Sequence, residues 1–358
     1  MRNQTETASP PLTAQPEIIK FIRLDAAHYP GKYEPEAYDP ALAKQVYGEV
    51  LDEAVEAEAL GWDGFFLTEH HFDAWSLIPS PNLLLAMLAL KTRRMRLGTG
   101  VHILPVRDPI RLAEEAGMLD VISGGRLEVG LGRGNFQFEL DRFTAPVAES
   151  VPRFDEHLEV FTKAIRAVNF TYDGRWTKVR KQSTLYPRPM QDSLPIWIGA
   201  TSSATVEKIG GLGHNLAGGA FPDGGERLER FVEASRRAGR QVSGANFLVA
   251  APLFVAPTDA EAERIAAEVA KETLPFAQKR VETASKPGVV SPGEALVKFA
   301  IFGSPRTVRD KLAYILSGCG ARRLMLILRF RGTNTEIVRQ TQRLFAEEVA
   351  PELRKLKS

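Results

Sequence analysis

Glu69, His70 and His71 follow directly on the apolar run Gly64-Phe65-Phe66-Leu67 and Thr68. A carboxylate beside two imidazoles can move a proton near neutral pH, where histidine titrates and other ordinary side chains do not. The run before them reads as a buried strand, and α/β folds place their reactive groups just past the carboxyl ends of strands. Neighbouring residues on an extended segment point to opposite sides, so His70 and His71 are not expected to share a metal ion. The zinc-protease pattern of two histidines four apart on a helix is also absent. The triplet therefore predicts proton handling, with no metal; the bland alternative is that both histidines only hydrogen-bond within a rim.

Two further strand ends carry an anion signal. One reads Gly130-Leu131-Gly132-Arg133-Gly134-Asn135, the other Gly199-Ala200-Thr201-Ser202-Ser203-Ala204-Thr205 running into a helix. Glycine lets a backbone approach a ligand closely, and arginine offers a planar fork matched to phosphate oxygens. Hydroxyls and unpaired N–H groups at a helix N-terminus favour a phosphate. Singly, each could be a tight turn or a serine cap; on successive strands they predict a phosphate site. The spacing is neither the dinucleotide fingerprint nor a P-loop.

The elements that must hold these groups alternate. Strands are expected at Ile18 to Ala26, Gly64 to Thr68, Met95 to Leu104, Arg126 to Gly130, Pro195 to Gly199, His214 to Phe221, Ala245 to Val255 and Ala321 to Phe330. Helices are expected at Pro40 to Leu60, Ser80 to Thr92, Pro109 to Ile122, Pro152 to Val168, Ser202 to Gly211, Gly225 to Gly239, Asp259 to Lys271, Thr307 to Ser317 and Thr333 to Leu356, with a hairpin at Tyr172 to Leu185. Eight strands interleaved with helices is the count of an α/β (β/α)8 TIM barrel, which right-handed crossovers close in parallel. A doubly wound sheet is the alternative, since periodicity does not show closure. Residues 272–306 carry Pro275, Pro287, Pro292 and Pro305 and are expected to form a long insertion. Residues 1–15 are polar and are expected to be a disordered lead-in to one domain over 16–358.

Composition narrows the class. Lysine and arginine total 46 against 44 acidic residues, which gives no basic excess for nucleic acid. No segment approaches the roughly 20 apolar residues that span a bilayer, and the first residues lack the apolar core of a signal peptide. Cys319 is the only cysteine, which excludes an intrachain disulfide or a cysteine zinc cluster and suggests a packed helix-end residue. A cytoplasmic protein with neither membrane nor nucleic acid as partner is expected.

Seven blocks then occur in a telling order: Thr68-Glu69-His70-His71-Phe72, Gly98-Thr99-Gly100 leading to Leu104-Pro105, Asp108-Pro109-Ile110-Arg111-Leu112-Ala113-Glu114, Leu119-Asp120, Ser123-Gly124-Gly125-Arg126, Gly130-Leu131-Gly132-Arg133-Gly134, and Pro195-Ile196-Trp197-Ile198 followed by Ser202 and Thr205. Together they resemble the bacterial luciferase family of flavin-dependent monooxygenases, well over Ile18 to Ala220 and by topology beyond. The resemblance implies a TIM barrel binding reduced FMN with its ring over the strand ends. It puts Arg133, Ser202 and Thr205 at the flavin phosphate, with the Ala200-Thr201 turn beside them, and a cis peptide at Gly100-Val101 beneath the ring. His70 falls where luciferase has a histidine needed for turnover; Glu69 is expected to set its tautomer or placement, with His71 adjoining. The chain departs from luciferase at Gly132, where luciferase has a reactive cysteine, so light emission from an aldehyde is not implied.

The implied reaction consumes O2 and reduced FMN and oxygenates a small organic substrate in a dry pocket, with Phe65, Phe72, Trp75 and Phe136 as candidate lining and residues 272–306 as a candidate lid. No nicotinamide-binding motif is visible, so a separate flavin reductase is expected as supplier. The resemblance also implies a homodimer through the helices after strands two and three. The rival readings are a deazaflavin-dependent dehydrogenase of the same fold, a non-catalytic flavin-binding subunit, which retention of His70 with Arg133 argues against, and a metal-dependent barrel hydrolase.

Overall fold

The computed structural model describes residues 17–356 apart from 144, 201, 220–223 and 282–299. Its strands are β1 (Lys20–Asp25), β2 (Gly64–Leu67), β3 (Arg96–Thr99), β4 (His102–Ile103), β5 (Leu127–Gly132), β6 (Phe170–Asp173), β7 (Lys178–Ser183), β8 (Ile196–Gly199), β9 (Asn215–Gly219), β10 (Phe247–Val255), β11 (Ile301–Gly303) and β12 (Arg323–Ile327). The helices are α1 (Pro40–Ala59), α2 (Pro81–Lys91), α3 (Pro109–Ser123), α4 (Gln137–Arg142), α5 (Val147–Arg166), α6 (Ser203–Leu212), α7 (Gly224–Arg237), α8 (Asp259–Val281), α9 (Pro305–Cys319), α10 (Thr335–Leu344) and α11 (Ala350–Leu353). Helix starts follow their local chemistry. Asp39 and Asp108 accept amides of the first turn, and proline occupies the first position of α1, α2, α3 and α9, where a missing N–H costs nothing. Gly124 ends α3 at φ 69°, a left-handed conformation that glycine adopts without penalty.

Parallel pairing runs β1–β2–β3–β5–β8–β9–β10–β12 and returns from β12 to β1, a closed barrel that disposes of the doubly wound alternative. Alternation along each strand sends one set of side chains outward and the other into the lumen. Phe21, Phe65, Leu67, Leu97, Val129 and Leu326 pack outward with the apolar faces of the helices, forming the larger core. Ile22, Leu24, Phe66, Trp197, Leu248 and Met325 fill the lumen. At the amino ends of the strands, buried Glu128 accepts from Arg96 Nε at 2.8 Å, Trp197 Nε1 at 2.7 Å and Arg323 Nη1 at 3.1 Å, closing the floor. A second buried ionic cluster lies outside β1. Arg23 bonds Asp25 at 2.7 Å, Gln342 and Glu53, while Arg329 reaches Glu49 at 3.2 Å and Glu53, so α1, β1 and α10 are tied together.

Several boundaries differ from the sequence reading. The expected third strand is two pieces, β3 and β4, on either side of the Gly100–Val101 peptide, which is cis. The fourth strand runs on to Gly132, so Gly130 and Gly132 lie within the sheet and not in a loop beyond it. A Cβ at Gly130 would sit 2.0 Å from the Thr99 carbonyl oxygen, so this glycine serves strand approach. The polar stretch before Pro152 contains α4 and the start of α5, with Pro152 inside the helix. α8 runs ten residues past Lys271, to Val281, through Pro275, and β11 occupies Ile301–Gly303, so the insertion is shorter than 272–306. Its remainder, 282–299, lies outside the described residues, as do the lead-in and the end of the sixth strand. The closing helix is divided by a π turn at Phe345–Val349. Cys319 is buried at the end of α9, and no helix among the described residues is long and apolar enough to cross a membrane.

Gly98 is where lumen packing is tightest. A Cβ there would stand 2.6 Å from the Phe66 ring and 2.8 Å from the Glu128 carbonyl oxygen. Gly98→Ala is expected to destabilise the barrel by about 1–3 kcal/mol through overpacking, read as a lower melting temperature in calorimetry; an unchanged melting temperature would contradict this packing.

Candidate functional site

Glu69 follows β2 and is 2% exposed. Its Oε1 accepts from His71 Nε2 at 2.9 Å, and its Oε2 meets His102 Nδ1 at 2.6 Å. Arg107 Nε donates to both oxygens, at 2.9 and 2.7 Å. His102 comes from β4 and Arg107 from the turn before α3, so one carboxylate joins three consecutive segments of the rim. Burial opposes the charge on Glu69, but the hydrogen bonds from His102 and His71 and the Arg107 charge outweigh it and hold the carboxyl at about 2. Burial pulls the His102 imidazole below its ordinary pKa against the pull of Glu69. The far nitrogen of His102 lies 3.1 Å from the Asn82 side-chain oxygen.

His70 belongs to a different acid. Its Nδ1 lies 3.0 Å from Glu139 Oε1, and the same oxygen accepts the His71 backbone N–H at 2.9 Å. Glu139 is a buried residue of α4, and the His70 ring packs on Phe136 at 5.9 Å between centroids. The expectation that Glu69 sets the His70 tautomer is therefore corrected: Glu139 contacts His70, and Glu69 holds His71. The two histidines point apart, as adjacent residues on an extended segment do.

A cavity of about 560 Å³ opens above the lumen at the carboxyl ends of the strands. Glu69, His70, Gly100, Val101, Arg133, Ala200, Ser202 and Thr205 line it; His71 does not, and Thr201 lies outside the described residues. Of the four aromatics expected at the lining, only Phe136 is there. Phe65 faces outward beneath Arg23, Trp75 packs on His28, and Phe72 is 58% exposed at the surface. One-residue register decides this, because Phe65 and Phe66 leave the same strand on opposite faces. Gly132 lines the cavity too, and a Cβ there would come within 2.4 Å of Val101 Cγ2, so this wall has no room for a cysteine while Val101 stands opposite.

Basic and hydroxyl groups gather where β5 and the start of α6 meet the cavity. Half-buried Arg133 donates to the Ser150 hydroxyl at 3.2 Å and makes no ion pair among the described residues. Burial alone pulls its pKa down. Ser202 caps α6 and lies 2.7 Å from the Thr205 hydroxyl. Lys208, one turn further along α6, lines the same space and pairs with Asp155 at 2.6 Å. Lys208, Glu139, His102 and Arg107 escaped the sequence reading. Lys208 alone had a usable signal, three residues after Thr205 and so on the same helix face.

The Glu69 charge gives a stability test. Its folded pKa lies below the ordinary carboxylate value, so it contributes stability above about pH 4.5 that is lost as pH falls towards about 2. Glu69→Gln leaves Arg107 without its counter-charge and is expected to cost about 3–5 kcal/mol at pH 7. Chemical unfolding across pH should show the difference from wild type shrinking between pH 4.5 and 2; a pH-independent difference would exclude the charge as the cause.

Residues 22–323 match the family described as luciferase-like monooxygenase. The oxygenase component of flavin-dependent trigonelline monooxygenase from Acinetobacter baylyi is 32% identical over 203 residues, 54% of each chain. The N-acetyl-S-alkylcysteine monooxygenase of Bacillus subtilis is 30% identical over 214 residues, 58% of this chain and 61% of that one. The chain spans about half the length of the first curated relatives it matches. The crystal structure of monooxygenase RslO1 from Streptomyces bottropensis superposes with a TM-score of 0.80 at 26% identity, covering 93% of this chain and 99% of that one. With the family match reaching from β1 to the first residue of β12, this chain belongs to the luciferase-like monooxygenases.

Proposed function

We propose that the protein is the oxygenase component of a two-component, FMN-dependent monooxygenase that oxygenates a small organic substrate in the cytoplasm and draws reduced FMN from a separate reductase. The observation that carries this reading is Arg133, a half-buried cation that lines the cavity beside the Ser202 and Thr205 hydroxyls with no carboxylate partner among the described residues. A phosphate monoester fits that demand, since guanidinium, hydroxyls and a helix N-terminus are its usual ligands. The volume of about 560 Å³ lies within the range of small-ligand sites. When bound, reduced FMN supplies the two electrons that, with O2, place one oxygen atom in the substrate and release the other as water.

The chain's own groups then have separable tasks. Arg133, Ser202 and Thr205, with Ala200 and Lys208, hold the phosphate, and Thr201 joins them by its place in the sequence next to Ser202. Gly100 and Val101 form the wall against the ring, and the apolar lining of Ile103, Phe136, Phe154 and Met325 keeps water out. His70 shares the proton on Nδ1 with Glu139, so exchange with the cavity falls to Nε2. Glu69 and His71 fix the segment from which His70 projects. A homodimer through α2 and α3 has support in exposed apolar residues, with Leu83, Met87 and Leu90 at 71%, 46% and 69% exposure on one face of α2 and Met118 at 55% on α3.

Anaerobic titration with reduced FMN, followed by mixing with oxygenated buffer, tests the assignment. Saturable binding is expected, with FMN preferred over riboflavin, and Arg133→Met should weaken FMN about 10–100-fold while barely affecting riboflavin. His70→Ala should still bind FMN but lose product formation. Failure to bind FMN in either redox state, with binding of a deazaflavin, would move the assignment to a dehydrogenase of the same fold. Sedimentation should show a dimer that Leu90→Glu converts to monomer; a wild-type monomer would remove the proposed interface.

A further inference from the structure

Two cations line the cavity where β5 and the start of α6 meet it, and they are held in unlike ways. Arg133 donates to the Ser150 hydroxyl of α5 at 3.2 Å and has no carboxylate partner among the described residues. Lys208 of α6 stands 2.6 Å from the Asp155 carboxylate of α5. Both members of that ion pair line the cavity, Asp155 with Phe154 and Leu158 from the α5 side, Lys208 with Thr205 and Ile209 from the α6 side. Lys208 comes three residues after Thr205, so the two share one face of the helix. Its ammonium therefore borders the same space as the Thr205 hydroxyl. Glu207, the acid next to Lys208 in the chain, is taken up by Arg230 at 3.3 Å.

A hydroxyl leaves the charge of an arginine intact, so Arg133 meets an incoming anion as a full cation. The carboxylate at 2.6 Å offsets the charge of Lys208, and Asp155 itself repels an anion. Side-chain exposures of 47% for Lys208 and 37% for Asp155 make this an open pair, and open pairs contribute little to stability. An acid on the wall of a site whose other polar groups suit an anion thus acts on the ligand more than on the fold. We propose that Asp155 is an affinity-determining residue of the flavin site, which competes with the FMN phosphate for Lys208 and so keeps the flavin exchangeable. The proposal rests on the FMN reading above. A chain that draws reduced flavin from a separate reductase has to take up and release FMN in every cycle. A phosphate gripped without competition by both cations would leave slowly, since affinity differences between related complexes lie mostly in the rate of release.

The full chain is titrated with oxidised FMN and with riboflavin, followed by flavin fluorescence, and the release of FMN is timed by stopped flow. Asp155→Asn, which keeps the shape of the side chain, should bind FMN about five- to tenfold more tightly, the order of one charged contact to a phosphate. Release should slow by a similar factor, and riboflavin binding should not change. Adding Lys208→Met to Asp155→Asn should remove the gain, because the freed lysine is its source. FMN binding by Asp155→Asn that is unchanged or weaker, an equal gain for riboflavin, or a gain that survives Lys208→Met would each overturn the proposal, while a wild-type preference for FMN over riboflavin would leave the phosphate site standing. A wild type that binds the two flavins alike would remove the phosphate site itself, and the role of Asp155 with it.

Discussion

The charge on Glu69 is the constraint around which the upper rim of the barrel is arranged. A buried carboxylate stays ionised only if its neighbours repay the lost hydration. Here the repayment comes from three separate segments: His71 beyond β2, His102 on β4 and Arg107 before α3. None of the three can shift without exposing the charge to an unfavourable medium. The same contacts fix the backbone from which His70 projects, and they leave His70 itself to a second acid, Glu139. Two adjacent histidines thus do different work, one bound into the frame and one facing the cavity.

The cavity also depends on what happens below it. Glu128, Arg96, Arg323 and Trp197 close the floor, and Phe66, Ile22 and Leu248 fill the middle, so empty space can persist only at the carboxyl ends of the strands. Gly98 gives Phe66 its room, and Gly130 lets β5 approach β3. Gly130 is read from the sequence as part of a ligand-approaching run, yet in the barrel it is, like Gly98, a packing residue whose missing side chain sets where volume is spent. Arg133, which follows β5, is the group that lines the cavity.

The sequence carries the barrel well because each strand is short, strongly apolar and bounded by helix caps, and eight repeats of that pattern leave few topologies. It carries the anion residues for a similar reason: arginine after glycines and hydroxyls before a helix are local signals. What it does not carry is pairing over distance. Glu139 lies 69 residues from His70 on a six-residue helix that looks like a polar loop. His102 and Arg107 meet Glu69 only because β4 turns their segment back across the rim. Facing is equally hidden, as Phe65 and Phe66 show, since either neighbour could have turned towards the lumen. The length of α8 was obscured by Pro275, which marks a helix end in most contexts but lies within this one.

Gly132 and Val101 show how one wall limits the chemistry that the family allows. A side chain at position 132 would have to occupy space that Val101 already fills, with Cγ2 only 2.4 Å from the Cβ position. Replacing the glycine alone therefore costs overpacking, and a cysteine could enter only together with a smaller residue at 101. Val101 lies just before β4, where Gly132 pairs with Ile103, and its side chain reaches across to position 132, so the two positions vary usefully only together. This wall lies beside His70, Phe136 and Arg133 in the same cavity, which makes its bulk part of the site's shape and not merely of the sheet's packing. Val101, and not a side chain at position 132, therefore meets whatever ligand the cavity takes from this side.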